Sequence, residues 1–263
     1  MKTSLLTRCV RASTVRGLMV LFVLQALNAM ANAAELKVLS GNGMRTILGD
    51  LTENFEQTTG HKLQIGFATA GLMRDRIRGG ETADVAVMQR YLLDELLEQG
   101  KIVRGTAIDL ARSPIGLFAR IGGPRPDISS IEALKHALLA AQSITYTDPA
   151  DGGLSGTHFA SVLERLGIAA QMKGKTKLGR PGPRVASGEV EFGILQISEI
   201  LPLSGVQLIG RLPEQLQDNT PVSAAIISGA HQPEVGMTFV RFLLSPAAAG
   251  AIRTRGMEPI EKR

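Results

Sequence analysis

Short apolar segments rich in β-forming residues alternate along this chain with segments that have the apolar period of an amphipathic helix. The strand-like segments are residues 36–39, 63–67, 83–87, 115–119, 143–146, 192–195, 206–209 and 222–227. This alternation is typical of an α/β protein with parallel strands. The sequence therefore predicts an α/β fold.

The clearest helical pattern lies between the first two strand-like segments. Its apolar face consists of Met44, Ile47, Leu48, Leu51 and Phe55. This spacing is that of one face of a helix, which we expect to end at Gly60. Further helices are predicted at residues 90–99, 130–142, 157–166 and 233–244. Ser129 and Glu132 are expected to form a capping box, and a last helix is expected to begin at Ser245 and Pro246.

The basic charge of the chain is concentrated at its N-terminus. The 263 residues carry a formal net charge of +5, with 44% apolar and 20% charged residues. Four basic residues and no acidic one lie in the first 33 positions, which leaves 25 basic and 24 acidic residues elsewhere. The basic residues are Lys2, Arg8, Arg11 and Arg16. Net charge therefore gives no support to a nucleic-acid partner.

The N-terminus has the three parts of a secretory signal. A basic stretch through Arg16 is followed by an apolar run from Leu18 to Leu27 and by small residues ending at Ala33. The apolar run is too short to span a membrane as an uncleaved anchor. We expect residues 1–33 to be a cleaved signal peptide and the protein to be periplasmic. The only cysteine is Cys9, so the exported chain would form no disulfide.

Three predicted strand-to-helix junctions are rich in small polar residues and begin at Ser40, Thr69 and Asp148. Such junctions direct free backbone N–H groups and the positive end of a helix dipole beyond the carboxyl end of a strand, where open α/β sheets bind ligands. Small anions fit these groups. The alternative is that Ser40, Thr69 and Ser155 only cap helices and that the glycines only turn the chain.

Motifs for catalysis, metals and nucleotides are missing from the sequence. The four histidines show no metal-ligand spacing, and Thr157 stands where a GxSxG nucleophile motif needs glycine. Ser155, Asp218 and His231 do follow the order of a hydrolase triad, which leaves a serine hydrolase as a weaker alternative. We therefore expect a protein that is not an enzyme and that holds no cofactor or metal.

Seven segments together resemble the molybdate-type substrate-binding proteins of ABC transporters, within the class 2 periplasmic binding protein family. They are residues 36–44 (LKVLSGNGM), 67–73 (FATAGLM), 80–85 (GETADV), 148–149 with 152–156 (DP, GGLSG), 162–167 (VLERLG), 188–199 (GEVEFGILQISE) and 242–246 (FLLSP). Their order and spacing are more specific for the fold than for the ligand.

The resemblance implies a two-lobed periplasmic-binding-protein fold, with two strand crossovers and a ligand cleft between the lobes. One lobe maps to residues 34–114 plus 222–263 and the other to residues 115–221, with hinges near 113–117 and 220–223. It also implies a small anionic ligand, delivery to an ABC permease in the membrane, and a monomer. An anion binder of the same fold that serves sensing or host interaction without a permease is the alternative.

Carried over by position, the ligand contacts of the family fall on eight residues of this chain. They are Asn42, Gly43, Ala70, Gly71, Gly153, Ser155, Gly156 and Gln196. The family typically has serine hydroxyls at the first two junctions and a tyrosine after the late strand, whereas this chain has Asn42, Ala70 with Gly71, and Gln196. The ligand is therefore expected to be a molybdate-like oxyanion or a small organic carboxylate.

The segment 178–186 also departs from the family, because Pro181 and Pro183 stand where a helix is usual. We expect one ligand-facing helix terminus to be missing there. Arg180 or Arg184 is a candidate counter-charge for the anion, and a solvated basic loop is the alternative.

Overall fold

The computed structural model describes residues 33–218 and 220–260. Apart from Ala33, the predicted signal peptide lies outside the described residues. The strands within this part of the chain are β1 (Glu35–Gly41), β2 (Lys62–Ala68), β3 (Val85–Gln89), β4 (Ile108–Arg112), β5 (Ile115–Arg120), β6 (Ile144–Tyr146), β7 (Thr176–Leu178), β8 (Phe192–Gln196), β9 (Val206–Arg211), β10 (Pro221–Ile226) and β11 (Glu258–Pro259).

The α-helices of the same residues alternate with the strands. They are α1 (Arg45–Thr59), α2 (Ala70–Arg78), α3 (Arg90–Glu98), α4 (Ile131–Ala140), α5 (Leu154–Arg165), α6 (Ala169–Met172), α7 (Pro181–Ala186), α8 (Ile197–Ile200), α9 (Pro233–Phe242) and α10 (Pro246–Thr254).

Two sheets divide the strands. The first has the order β11-β4-β10-β3-β1-β2 and the second the order β7-β6-β8-β5-β9. We call the first sheet with its helices lobe I and the second lobe II. The chain passes from β4 to β5 and returns from β9 to β10, which makes the two crossovers. The α/β, two-lobed fold class is therefore confirmed.

The strands are not all parallel, in contrast to the simplest reading of their alternation with helices. β1 pairs in parallel with β2 and β3, and β6 with β7 and β8. The strands next to the crossovers run the other way: β10 is antiparallel to β3 and β4, and β5 is antiparallel to β8 and β9. β5 and β10 enter their sheets directly from the other lobe. No helix of their own lobe precedes them to reverse the direction of the chain, so they pair antiparallel to their neighbours.

Helix α1 follows the predicted amphipathic pattern. Ile47, Leu48, Leu51 and Phe55 are buried, and Gly60 ends the helix in the left-handed region at φ 77°. Glycine adopts this conformation without a Cβ penalty, which is why it terminates helices so often. The Phe55 ring makes edge contacts with Phe239 and Phe242 of α9, at centroid distances of 5.1 and 5.3 Å. The core of lobe I is therefore built from helices that lie near both ends of the described chain.

Two details of the sequence interpretation were wrong. The cap of α4 is Ser130, whose hydroxyl accepts from the Ala133 amide, rather than Ser129, whose amide donates to Asp127. The segment at Pro181 and Pro183 forms the helix α7 instead of lacking one. Both prolines lie in its first turn, where the missing N–H groups would have had no partner within the helix.

Within residues 33–218 and 220–260, no single helix is long and apolar enough to cross a membrane. Only α9 and α10 taken together reach the length and hydropathy of a membrane span, and the two helices are bent by 63° relative to each other. Phe239 and Val240 of α9 and Ala248 and Ile252 of α10 are buried in the core of lobe I.

Candidate functional site

A cavity of about 40 Å³ lies where the two lobes meet. Its lobe I walls come from the ends of β1 and β3, the start of α2 and the 3₁₀ turn at Asn42–Met44. Its lobe II walls come from Thr147 after β6, the start of α5 and the end of β8. Strands β1, β3, β6 and β8 all meet the cavity at their carboxyl ends, which is the ligand position expected of open α/β sheets.

Six of the eight residues predicted to contact the ligand line this cavity. They are Asn42, Gly43, Ala70, Gly153, Ser155 and Gln196. Gly71 and Gly156 do not line it. A Cβ on Gly71 would lie 2.7 Å from Cα of Gly152, and a Cβ on Gly156 would overlap the carbonyl oxygen of Thr147. These two glycines allow close backbone approach instead of facing the cavity.

The first junction lies directly against the side chain of Gln196 from lobe II. The 3₁₀ turn at Asn42–Met44 follows β1 directly, and a Cβ on Gly43 would lie 2.5 Å from Oε1 of Gln196. Asn42 accepts a hydrogen bond on Oδ1 from Nη2 of Arg45, at 2.9 Å. The Arg45 guanidinium also lies 4.5 Å from the centroid of the Phe67 ring. Arg45 therefore brings a positive charge beside the cavity without forming part of its lining.

Gln196 connects the cavity to the crossover between the lobes. Its Oε1 accepts from the hydroxyl of Ser113 at 2.6 Å, and Ser113 lies between β4 and β5. Because Oε1 accepts this bond, the amide nitrogen is the end of the group that can donate to an anion. Gln196 is buried, with 8% of its surface exposed. Its orientation is therefore fixed by the chain segment that joins the lobes.

The third junction supplies two hydroxyls. The hydroxyls of Thr147 and Ser155 lie 2.9 Å apart and share a hydrogen bond. Ser155 is the second residue of α5, behind its N-cap Gly153, so it does not cap the helix. Ser40 is not a cap either, because it lies inside β1, whereas Thr69 does cap α2. The first-turn amides of α5 have no acceptor within the helix and are available to a ligand.

A carboxyl group stands in the wall of the cavity. Glu199, on α8, lines it together with Gln196 and is partly buried. Burial raises the pKa of its carboxyl to about 7, although the nearby Arg45 lowers it somewhat. In the sequence, Glu199 is the last residue of the family segment 188–199, and nothing there indicates a role for its side chain. Thr147 was also missed, because it lies in none of the segments that carry the resemblance.

The remaining candidate residues lie elsewhere. Arg180 is exposed, and Arg184 is 3.7 Å from the Glu189 carboxylate. Neither lines the cavity, and no histidine does. The nearest polar partner of Ser155 is Thr147, so the described residues do not assemble a serine–histidine pair. Within these residues there is also no group of three or more His, Cys, Asp or Glu side chains that could hold a metal ion.

The lobes touch each other at the rim of the cavity. The Thr69 hydroxyl donates to the carbonyl of Asp151 at 2.7 Å, and the Gly71 amide donates to the carbonyl of Gly152 at 3.3 Å. On another part of the boundary, Arg211 of β9 pairs with Glu258 of β11 at 2.8 Å. The structure therefore has the cleft closed around a small volume.

Comparison with known proteins identifies the family. Residues 36–258 match the profile of the bacterial extracellular solute-binding proteins. A protein of Pseudomonas sp. named aconitate isomerase is 33% identical over 234 residues, which cover 86% of this chain and 88% of the relative. The molybdate-binding protein of Azotobacter vinelandii is 24% identical over 238 residues, which cover 86% of this chain and 90% of that protein.

Solved structures agree on the fold. The periplasmic molybdate-binding protein of Azotobacter vinelandii superposes with a TM-score of 0.72 at 18% identity, covering 87% of this chain and all of that one. The substrate-binding domain of a molybdenum ABC transporter protein from Clostridium difficile gives 0.70 at 16% identity, with the same coverage. The resemblance to molybdate-type binding proteins is thereby confirmed.

The prediction that the chain is not an enzyme is contradicted by the Pseudomonas relative, which bears the name of an enzyme. That prediction rested on the lack of a nucleophile–base pair and of metal-ligand spacing in the sequence. An isomerisation by proton transfer requires neither of them, because one suitably placed acid–base group is enough. The family profile covers most of the chain. The protein therefore belongs to the family of bacterial extracellular solute-binding proteins.

Proposed function

We propose that this protein captures a small polycarboxylate between its lobes and isomerises it, with aconitate as the first candidate substrate. The observation that carries the proposal is the composition of the cavity wall. Both lobes contribute neutral donors, and no lysine, arginine or histidine of the described residues lines the cavity. A site of this kind holds an anion by hydrogen bonds to its oxygens, each of which contributes about 1.5–3 kcal/mol.

A carboxylate ligand suits the donors that this chain has. Gln196 and Asn42 stand where the molybdate-type proteins typically have hydroxyls, and the Ser155 and Thr147 hydroxyls line the same cavity. Arg45 adds a positive charge just outside the cavity, next to Asn42. A ligand with several carboxylates can place one in the cavity and another near this guanidinium. The 33% identity to aconitate isomerase supports this choice of substrate.

Capture of a molybdate-like oxyanion, with delivery to an ABC permease, is the second candidate function. The size of the cavity favours it. The cavity is small, about 40 Å³, and a compact four-oxygen anion needs less space between closed lobes than a polycarboxylate does. The location that we propose under either function is the periplasm, because the family is extracellular.

The two functions make opposite predictions for purified, ligand-free protein. Incubation with cis-aconitate, followed by proton NMR, should show conversion to the trans isomer, and the reverse reaction should reach the same equilibrium mixture. Titration calorimetry with molybdate, tungstate and sulfate should give weak or no binding. Tight molybdate binding without any conversion of aconitate would contradict the proposal and favour the oxyanion carrier.

A further inference from the structure

An acidic side chain is an unexpected component of an anion-binding wall. Glu199 is the one ionisable residue among those that line the cavity in the described part of the chain. Its negative form would repel a bound anion at close range. In its protonated form the same group can donate a hydrogen bond to an anion. A side chain that lines the site and can both hold and release a proton there is suited to proton transfer as well as to binding.

Local structure holds Glu199 against the ligand position. Helix α8 begins immediately after Gln196, so Glu199 lies about one turn beyond the residue that connects cavity and crossover. The helix packs against the Asn42–Met44 turn of lobe I and against β5, β8 and β9 of its own lobe. Among the described residues, Glu199 has no ion pair or hydrogen-bond partner. Its carboxyl is thus free to exchange a proton with a ligand.

Few charges act on this carboxyl. Among residues 33–218 and 220–260, Arg45, on the lobe I helix that follows the turn, is the only charged residue whose field changes the pKa of Glu199. Strand β8 has no charged residue, β5 has only Arg120 and β9 only Arg211. Arg211 is paired with Glu214 and Glu258. Since burial raises the pKa to about 7, both protonation states are populated near neutral pH.

We propose that Glu199 carries the proton in the isomerisation, as a single acid–base group on one face of the substrate. The inference rests on the proposed function. The carboxylate removes a proton from the methylene carbon that adjoins the double bond, and the electron pair of that C–H bond becomes the new double bond. The pair of the old double bond then forms a C–H bond at its far carbon with the proton that Glu199 returns. No oxidant, reductant or other reactant is required.

This 1,3 shift also explains how the geometry of the double bond changes. The carbon that was a methylene group can rotate about its single bond before it becomes part of the new double bond. The conformation that the closed lobes hold therefore decides whether the cis or the trans isomer forms. Because a carboxyl proton exchanges with water, deuterium from solvent should enter the product at carbon.

The test compares the wild type with Glu199→Gln and with Glu164→Gln, an exposed glutamate on α5. Glu199→Gln should lower kcat for aconitate by about 10²- to 10⁴-fold, the usual contribution of an acid–base group. It should bind aconitate at least as tightly as the wild type in calorimetry, since the repelling charge is gone. In D₂O, the wild type should add deuterium to carbon and Glu199→Gln should not. Glu164→Gln should match the wild type in all three measurements.

The pH profile separates proton transfer from a structural role. In the wild type, kcat/KM should rise with pH through an apparent pKa near 7, and Glu199→Asp should keep such a rise at a lower rate. Conversion by Glu199→Gln within fivefold of the wild type would overturn the proton role and leave the proposed function standing. Loss of aconitate binding by Glu199→Gln would also overturn it. A wild-type protein that binds aconitate but never converts it would reject the proposed function, and the proton role with it.

Discussion

Gly71 of lobe I and Gly152 of lobe II meet backbone to backbone, with the Gly71 amide 3.3 Å from the Gly152 carbonyl oxygen. The Thr69 hydroxyl makes a second contact to the same loop at Asp151. At Gly71 and Gly152 the lobes thus touch beside the cavity through backbone alone, with no side chain that could move aside. Closure of the cleft therefore depends more on this close backbone contact than on surface ion pairs. An exposed pair such as Arg211 with Glu258 contributes little to the free energy of closure.

Gly71→Ala should therefore hold the cleft partly open. Its Cβ would lie 2.7 Å from Cα of Gly152, so the two backbones must separate. If the strain costs about 1–3 kcal/mol, as overpacking usually does, ligand affinity should fall roughly 5- to 150-fold. Small-angle scattering should give a larger radius of gyration with saturating ligand than in the wild type. The control is Gly49→Ala on α1, where a Cβ meets nothing within 4 Å.

Gln196→Ala should weaken ligand binding by about 10- to 150-fold, because one hydrogen bond to a charged oxygen is lost. Ser113→Ala leaves the amide in place but removes the hydroxyl that orients it, at 2.6 Å from Oε1. Its effect on affinity should be smaller than that of Gln196→Ala and in the same direction. Calorimetry checks both, with the exposed His136→Ala as a control. Equal affinity of Gln196→Ala and the wild type would remove Gln196 from the site.

Glu199→Gln should stabilise the protein at high pH and not at low pH. The folded pKa of about 7 lies above the ordinary value of 4.5, so the folded state retains a proton that the unfolded state loses. Stability should therefore fall as pH rises from about 4.5 to 7, by roughly 3 kcal/mol in total. Thermal melts at pH 4 should superimpose for the two proteins, and at pH 8 the variant should melt higher. Identical melts at pH 8 would mean that the carboxyl is not buried.

Arg45→Gln should move the midpoint of the pH dependence of activity to higher pH. The Arg45 charge lowers the pKa of the Glu199 carboxyl, so its removal should raise that pKa further above 7. The midpoint of the kcat/KM profile should move to higher pH by the same amount. Affinity for a tricarboxylate should drop about 2- to 5-fold, since Arg45 is exposed and solvent screens its charge. Arg125→Gln, an exposed position on lobe II, should change neither quantity.

The sequence predicted those parts of the fold that have a strong local pattern. Strands with apolar runs and the amphipathic helix α1 were found because burial on one face leaves a period in the sequence. The strands β7 and β11 have three and two residues and are largely exposed, and so leave no such period. The helix α7 was missed because its prolines were taken as helix breakers, although proline fits the first turn.

The candidate site was only partly accessible from sequence. Junction glycines and polar residues could be placed by position, and six of the eight line the cavity. Gly71 and Gly156 could not be assigned in this way, because a glycine in a ligand loop and a glycine in a close backbone contact look identical in a sequence. Glu199 left no signal either. Its importance depends on burial and on the opposite lobe, and both are properties of the folded chain.

The order of strands in lobe I sets a constraint on how this protein can be made. Strand β10 lies between β3 and β4, yet the whole of lobe II separates it from them along the chain. During synthesis, β3 therefore has one unpaired side until residues 221–226 have left the ribosome. Until then β4 has no partner at all, because among the described strands it pairs only with β10 and β11. Lobe II has all its strands by then and can fold first, although lobe I begins earlier in the sequence. A newly made chain that stops short of β10 would present the open edge of β3 and a wholly unpaired β4, and it should depend on holding factors until β10 has been made.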